Sequence, residues 1–146
     1  MLKLSTKSRY GLRAMIELAE IGEGEKLEMS AIAQRQQLSR KYLHSMLSCL
    51  KEAGLTESIR GARGGYRLSR NPADILVSEI FEALEGKMSL VDCTTDPLYC
   101  DRALKCPAKP LWDRLNNALQ SVLTSTTLAD LVGNQQPDDV QTALHG

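Results

Sequence analysis

The sequence predicts a mainly α-helical protein with a small β-hairpin wing, in which a winged helix-turn-helix domain precedes a long C-terminal dimerisation helix. Nearly every segment before residue 133 carries helical periodicity, and a glycine-rich hairpin signal follows the third helix. A long amphipathic segment then follows a domain that is already able to close its own core. With 146 residues, 42% of them apolar and 25% charged, the chain has room for one such domain with an appendage.

Three helical segments open the chain and are joined by short turns. Ser5 or Thr6 is a good N-cap for a first helix that runs to about Gly22, and Ser30 opens a short second helix. Ser39 caps a third helix, which is the expected recognition helix. The apolar stripe of this third helix consists of Leu43, Met46, Leu47 and Leu50.

A β-hairpin and a further helix follow the recognition helix. Thr56–Arg60 and Tyr66–Ser69 are short β-capable runs, and three glycines within residues 61–65 permit the positive φ angles of a tight turn. Ser78 then starts another amphipathic helix, which stops at Gly86. This order of elements is typical of a winged helix-turn-helix domain.

A long amphipathic helix is expected after two prolines at positions 107 and 110. Its apolar residues Trp112, Leu115, Leu119 and Val122 recur with the a/d spacing of helices that pair, so we expect a homodimer. The alternative is that this helix folds back onto the first helix of its own chain. The expected organisation is a winged helix-turn-helix domain over 1–86, a cysteine-bearing loop over 87–106, a dimerisation helix with a final short helix over 107–132, and a flexible tail over 133–146.

The charges are segregated along the chain although the net charge is zero. Residues 1–70 hold 13 Lys/Arg and 7 Asp/Glu, whereas residues 71–146 hold 5 and 11. A basic half favours contact with a polyanion such as nucleic acid.

Several classes of protein are disfavoured by what the sequence lacks. No run approaches the ~18 apolar residues of a membrane span, and the N-terminal residues lack the apolar stretch of a secretory signal. We therefore expect a cytoplasmic protein that does not bind membranes. The chain has only two histidines, His44 and His145, and neither a P-loop nor a nucleophile elbow, so no enzyme and no small-molecule substrate are expected.

The expected DNA contacts lie on the third helix and on the hairpin. The outward residues of the helix carry hydrogen-bonding groups, and a helix fits the major groove, which is ~12 Å wide. Arg60 and Arg63 lie beside glycines and are suited to a minor groove, while Lys7, Arg9 and Tyr10 are placed to contact phosphates. The alternative is an ordinary solvated face. The helix candidates are Ser39, Arg40, Lys41, Tyr42, His44 and Ser45.

Three cysteines gather in one polar segment. Cys93, Cys100 and Cys106 have the spacing C-x6-C-x5-C, whereas Cys49 stands apart on the third helix, where a small buried apolar residue is expected. Thiolates on a flexible loop suit an iron–sulfur cluster, a zinc ion or a redox disulfide, and the spacing lacks the CxxC pairs of most structural zinc sites. Taken alone, the loop leaves these three interpretations open, together with a fourth in which the thiols have no functional role.

Longer motifs cover almost the whole chain. They are LSTKSRYGLRAM, SRKYLHSMLSCLKEAGL, SIRGARGGYRL, SEIFEALEG, the three-cysteine loop with its following PLW, and TLADLVGNQ. Over about residues 1–135 the chain resembles the IscR/NsrR/RirA-type winged-helix iron–sulfur regulators of bacteria, and most of all their IscR-like members.

This resemblance implies a homodimeric transcription factor that holds an iron–sulfur cluster on Cys93, Cys100 and Cys106. It favours a [2Fe–2S] over a [4Fe–4S] cluster. The implied function is to sense cluster status, redox state or nitric oxide, and to control genes for cluster assembly by binding a double-stranded DNA operator.

The chain departs from this family at the fourth cluster ligand. IscR-like members carry a histidine three residues beyond the third cysteine, where this chain has Lys109, and some nitric-oxide sensors use an acidic residue where this chain has Arg9. Neither cation is an iron ligand at neutral pH. His44 also replaces an acidic residue of the recognition helix, and Gln37 replaces a common glycine. The remaining ligand candidates are water, a small thiol, Asp92, Asp96, Asp101 and His145.

Two other classes of function remain open. A non-regulatory iron–sulfur carrier or redox protein explains the cysteines but neither the basic helix nor the wing. A zinc-stabilised winged helix that binds proteins predicts a colourless protein with one zinc ion and no DNA affinity.

Overall fold

The computed structural model describes residues 4–90, 98, 101–102 and 105–132. Cys93, Cys100 and the tail over 133–146 lie outside the described residues, as do the candidate ligands Asp92, Asp96 and His145. The described elements are α1 (Thr6–Glu20), α2 (Met29–Gln36), α3 (Arg40–Glu52), β1 (Thr56–Ile59), β2 (Gly65–Leu68), a 3-10 helix (Pro72–Asp74), α4 (Val77–Glu85), α5 (Lys109–Ser125) and α6 (Leu128–Val132).

Serine caps and apolar stripes build the first half of the fold. The Oγ of Ser5 accepts the N–H of Ser8 over 3.1 Å, and the Oγ of Ser39 accepts the N–H of Tyr42 over 3.2 Å. The predicted stripe of α3 is completely buried, against apolar residues of α1 and α4. Burial of this stripe turns the opposite face of α3 towards solvent.

Two helices begin one residue earlier than predicted. α2 begins at Met29 rather than Ser30, because the carbonyl of Glu28 already accepts the N–H groups of Ala31 and Ile32. α4 begins at Val77 rather than Ser78 because the carboxylate of Glu79 reaches back to the N–H of Leu76 over 2.9 Å. In each case a group other than the serine hydroxyl sets the start of the helix.

The wing is a two-stranded antiparallel hairpin that is also bonded to the link between α1 and α2. β1 pairs with β2 in the register Thr56↔Leu68 to Ile59↔Gly65. Leu27, in the link between α1 and α2, exchanges both of its backbone hydrogen bonds with Tyr66 over 2.9 Å. The wing is therefore anchored to the link that precedes α2.

The chain returns to the winged-helix part after α5. The N–H of Val77 donates to the carbonyl of Thr126 over 2.9 Å, and Leu128 is completely buried. α5 packs against α4, while α6 packs against α1. The long helix therefore does pack on its own chain, but mainly against α4 and not against the first helix as the alternative had it. Among the helices that the structure describes, none is long and apolar enough to cross a membrane.

A reciprocal cap starts α6. The N–H of Thr127 donates to the carboxylate of Asp130 over 2.8 Å, and the hydroxyl of Thr127 accepts the N–H of Asp130 over 3.2 Å. Hydrogen bonds from the backbone N–H and the side-chain hydroxyl of Thr127 lower the pKa of the Asp130 carboxyl below its usual value. The sequence Thr-Leu-Ala-Asp over 127–130 therefore fixes where the link from α5 ends and α6 begins.

Candidate nucleic-acid interface

The outward face of α3 carries most of the predicted DNA contacts. Arg40, Lys41, His44 and Ser45 are exposed in its first two turns. Tyr42 is half-buried and packs against the core, so only part of its ring is available to a partner. The hydroxyl oxygen of Ser39 is engaged as the N-cap, and the positive end of the helix dipole points out beside it.

The turn between α2 and α3 depends on a left-handed residue. Gln37 has φ 54° and ψ 46°, and it alone among the described non-glycine residues has a positive φ. Its N–H donates to the carbonyl of Gln34 over 3.3 Å, which ends α2. The turn sets the direction of α3 relative to α2. Gln37 is also the residue that replaces the glycine common at this position in the regulators that the chain resembles.

The wing tip presents two arginines on a glycine-rich turn. Arg60 and Arg63 are both exposed. The N–H of Gly64 donates to the carbonyl of Gly61 over 2.9 Å and closes the turn. A Cβ atom at Gly64 would lie 2.3 Å from the carbonyl oxygen of Ile59, so a larger residue would force the turn open.

The phosphate contacts predicted on α1 are partly engaged within the protein. The ammonium of Lys7 donates to the Sγ of Cys49 over 3.6 Å, and the guanidinium of Arg13 lies 5.4 Å from the centroid of the Tyr10 ring. Arg9 is exposed. Cys49 is half-buried rather than a fully buried apolar residue, because its sulfur faces the Lys7 ammonium.

Sequence reasoning missed the contacts that hold the wing from the α1–α2 link. Leu27 pairs with Tyr66, and the ammonium of the preceding Lys26 donates to the backbone carbonyl of Arg63. A single bridging residue leaves no alternating strand pattern, so the sequence carries no signal for it. The linkage therefore becomes visible only in three dimensions.

Only one cysteine of the loop lies among the described residues. Cys106 is half-buried and lies three residues before α5, where its carbonyl accepts the N–H of Lys109 over 3.2 Å. The ammonium of Lys109 pairs with the carboxylate of Asp113 at 2.7 Å. Over residues 4–90, 98, 101–102 and 105–132, no three His, Cys, Asp or Glu residues are close enough to hold a metal ion.

The predicted dimerisation seam of α5 divides into two parts. Leu115 is 41% exposed and Val122 is 61% exposed. Leu119 is half-buried against the core of its own chain, and Trp112 is also half-buried. An exposed apolar row therefore remains on the solvent side of α5.

Comparison with known proteins identifies the family. The Rrf2 family, described as iron-dependent transcriptional regulators, matches residues 4–134. The chain belongs to the Rrf2 family. The predicted resemblance to IscR/NsrR/RirA-type regulators is confirmed, and so is the winged-helix fold.

Rrf2 proteins of known structure match along almost their whole length. CymR of Bacillus subtilis is 46% identical over 132 residues, which cover 89% of each chain. The solved structure of CymR, described as the global cysteine regulator of B. subtilis, has a TM-score of 0.79 at 43% identity and covers 93% of this chain and 100% of that one. The T. potens IscR structure has a TM-score of 0.75 at 36% identity, with 92% and 89% covered. This Rrf2 protein is thus a DNA-binding transcriptional regulator and not an enzyme.

Proposed function

We propose that this Rrf2 protein is a homodimeric, cytoplasmic regulator that reads an operator with α3 and the wing. We further propose that an iron–sulfur cluster on Cys93, Cys100 and Cys106 controls this binding, and that the targets include genes for cluster assembly.

The exposed face of α3 is the main observation in favour of DNA binding. Arg40 and Lys41 are exposed at the N-terminal end of a helix whose opposite face is wholly buried. Recognition helices read base edges with their N-terminal residues, and the helix dipole adds attraction for phosphate at the same end. His44 and Ser45 lie one turn further on and offer hydrogen-bonding groups to bases.

The wing supplies the second group of contacts. Arg60 and Arg63 are exposed on a thin turn that the glycines at 61, 64 and 65 allow. A guanidinium on such a turn is narrow enough to enter a minor groove, where the negative potential is high. The two elements together would contact adjacent grooves of one half-site.

The salt dependence of DNA binding tests both elements. Each lost phosphate contact lowers the slope of log K against log salt by about 0.9. We expect Lys41→Ala and Arg63→Ala each to weaken binding to a duplex that the wild-type protein selects from a random-sequence pool, and to reduce this slope. Lys87→Ala, which removes an exposed cation beyond α4, is the matched control. Unchanged slopes for both test variants would contradict the proposal.

The exposed row of α5 supports the homodimer. Leu115 and Val122 lie seven residues apart, on one face of the helix, and both keep a large exposed area. Apolar rows of this length on a helix are commonly covered by a partner helix. A two-fold dimer would also place two α3 helices for half-sites that lie about 34 Å apart.

The donor chemistry of the cysteine segment fits an iron–sulfur cluster. Thiolates are the preferred ligands of such clusters, and Cys106 keeps part of its surface accessible at the base of α5. Lys109 does not fit as the fourth ligand, because its ammonium is engaged by Asp113. When bound, a cluster supplies one-electron redox chemistry, whereas the thiols alone offer only thiol–disulfide chemistry. We favour [2Fe–2S] over [4Fe–4S], as the resemblance implies.

The ends of the cysteine segment are held by this chain's own residues. The Nε2 of Gln120 donates to the carbonyl of Met88 over 2.6 Å, which ties the start of the segment to the middle of α5. At the other end, Cys106 leads into the first turn of α5. Cluster binding within residues 87–106 would therefore act on the packing of α5 against α4. In the proposed dimer, this packing would set the distance between the two α3 helices.

Regulation of cysteine metabolism is the second candidate function. It is favoured by the 46% identity to CymR, because the solved CymR structure is described as that of a cysteine regulator. In this case the loop thiols would serve as a redox disulfide rather than as cluster ligands.

Anaerobic purification distinguishes the two candidates. The cluster proposal predicts visible-region absorbance with bound iron and sulfide, which Cys100→Ala abolishes while the protein stays folded. Cys49→Ala, on α3, is the matched control and should keep the colour. Colourless wild-type protein without iron would contradict the cluster and favour thiol chemistry.

A further inference from the structure

We infer that Lys26 is a positioning residue for DNA binding, because its ammonium holds the peptide carbonyl of Arg63 and so fixes the direction of the wing-tip arginine. The hydrogen bond from Lys26 to Arg63 joins two exposed residues that lie 37 positions apart. The inference rests on the proposed contact between Arg63 and DNA.

The backbone next to Lys26 is held in position by hydrogen bonds to the wing. The next residue, Leu27, exchanges two backbone hydrogen bonds of 2.9 Å with Tyr66 on β2. A Cβ atom at Gly65 would lie 2.6 Å from the carbonyl oxygen of Leu27, so the link and the wing approach each other closely. Lys26 therefore reaches the wing tip from a fixed backbone rather than from a free loop.

The wing tip has the opposite character. Arg63 lies in the turn that the Gly61–Gly64 hydrogen bond closes, and Gly61 has a φ of +114°. Glycine-rich turns lose much conformational entropy when they are ordered. A charge-assisted hydrogen bond to the carbonyl of Arg63 fixes one peptide plane before DNA arrives. Less ordering is then left for the binding step.

A direct contact between Lys26 and a DNA phosphate is the competing explanation. Both explanations predict weaker binding when Lys26 is lost. They differ in whether the effect depends on the Arg63 side chain. A positioning residue acts through Arg63, whereas a phosphate contact acts independently of it.

A double-mutant cycle with the selected duplex separates the two. We expect Lys26→Met to weaken binding about threefold to tenfold in the wild-type protein. In the Arg63→Ala background the same change should have less than about a twofold effect, and no further fall in the salt slope. Lys26→Arg should restore most of the affinity. Lys51→Met, which removes a cation that bonds Ser58 at the base of the wing, is the control for lost charge.

Three results would overturn the inference. An undiminished effect of Lys26→Met in the Arg63→Ala background would make Lys26 a phosphate contact, while the proposed role of Arg63 would stand. No effect of Lys26→Met alongside a clear effect of Arg63→Ala would remove Lys26 from the interface. If Arg63→Ala itself had no effect, the wing contact in the proposed function would fail, and the positioning role with it.

Discussion

The backbone N–H of Leu128 donates to the carbonyl oxygen of Ile75 over 2.8 Å. This hydrogen bond joins the segment that follows α5 to the segment that precedes α4. Together with the bond from Gln120 to Met88, it makes α4 and α5 one packed unit around the start of the cysteine segment. Under the proposed function, cluster binding by that segment would therefore act on elements that also support the core of the winged-helix domain.

Leu128→Ala should strongly destabilise the protein. Leu128 is completely buried between α6 and the winged-helix core, so its truncation leaves a cavity. We expect the free energy of unfolding to fall by about 2–5 kcal/mol in urea denaturation. The half-buried Leu131→Ala should cost clearly less. A loss below about 1 kcal/mol for Leu128→Ala would show that α6 detaches readily in solution.

Leu115→Asp with Val122→Asp should prevent dimer formation. The change places two carboxylates in the exposed apolar row of α5, where burial against a second copy would be costly. Sedimentation velocity should show a monomer for this variant and a dimer for the wild type. Asn117→Asp, on the opposite face of the same helix, should leave the dimer intact. A dimer that persists in the double variant would place the interface elsewhere.

Gln37→Gly should stabilise the protein. Gln37 adopts the left-handed conformation, which costs an L-residue about 1–2 kcal/mol and a glycine almost nothing. The extra entropy of glycine in the unfolded chain offsets part of this, so we expect a gain of about 0.5–1 kcal/mol in urea denaturation. Gln34→Gly, at an exposed position within α2, should instead destabilise by about 1 kcal/mol. A loss of stability for Gln37→Gly would contradict the left-handed turn.

Glu79→Gln should lower the free energy of unfolding at neutral pH but not at acidic pH. Partial burial raises the pKa of Glu79, but the N–H of Leu76 and the guanidinium of Arg70 outweigh it and lower the pKa below its usual value. The carboxylate therefore contributes stability above the pKa of the unfolded chain, and this stability is lost as the pH falls.

Urea denaturation at several pH values measures this effect. Because the side chain of Glu79 is 37% exposed, solvent screens the pair, and the variant should lose only about 0.5 kcal/mol at pH 7. The difference should close below about pH 4. The exposed Glu82→Gln on the same helix is the matched control for the loss of one carboxylate. A constant deficit at every pH would contradict a contribution from the charge.

The helices and their buried faces could be predicted from the sequence because local signals determine them. Ser5 and Ser39 cap α1 and α3 as their hydroxyls predict. The period of the apolar residues gave the buried stripe of α3 and, with it, the outward candidates Lys41 and His44. Both kinds of signal lie within one or two helical turns.

The contacts that position the site could not be predicted in the same way. The bonds from Lys26 to Arg63 and from Leu27 to Tyr66 join residues that are far apart in sequence. Each depends on a single residue in a link of no regular pattern. The a/d spacing of α5 also did not reveal that Leu119 packs inward while Val122 stays exposed, because spacing alone does not specify which neighbour covers a helix face.

Affinity for DNA with and without the cluster tests the central proposal most directly. Anaerobically purified protein would be titrated onto the selected duplex before and after removal of iron by a chelator, at one fixed salt concentration. A coupling free energy of about 1–3 kcal/mol between cluster binding and DNA binding by α3 and the wing predicts an affinity change of about 5- to 150-fold. Equal affinity of the iron-loaded and iron-free forms would contradict control of DNA binding by the cysteine segment.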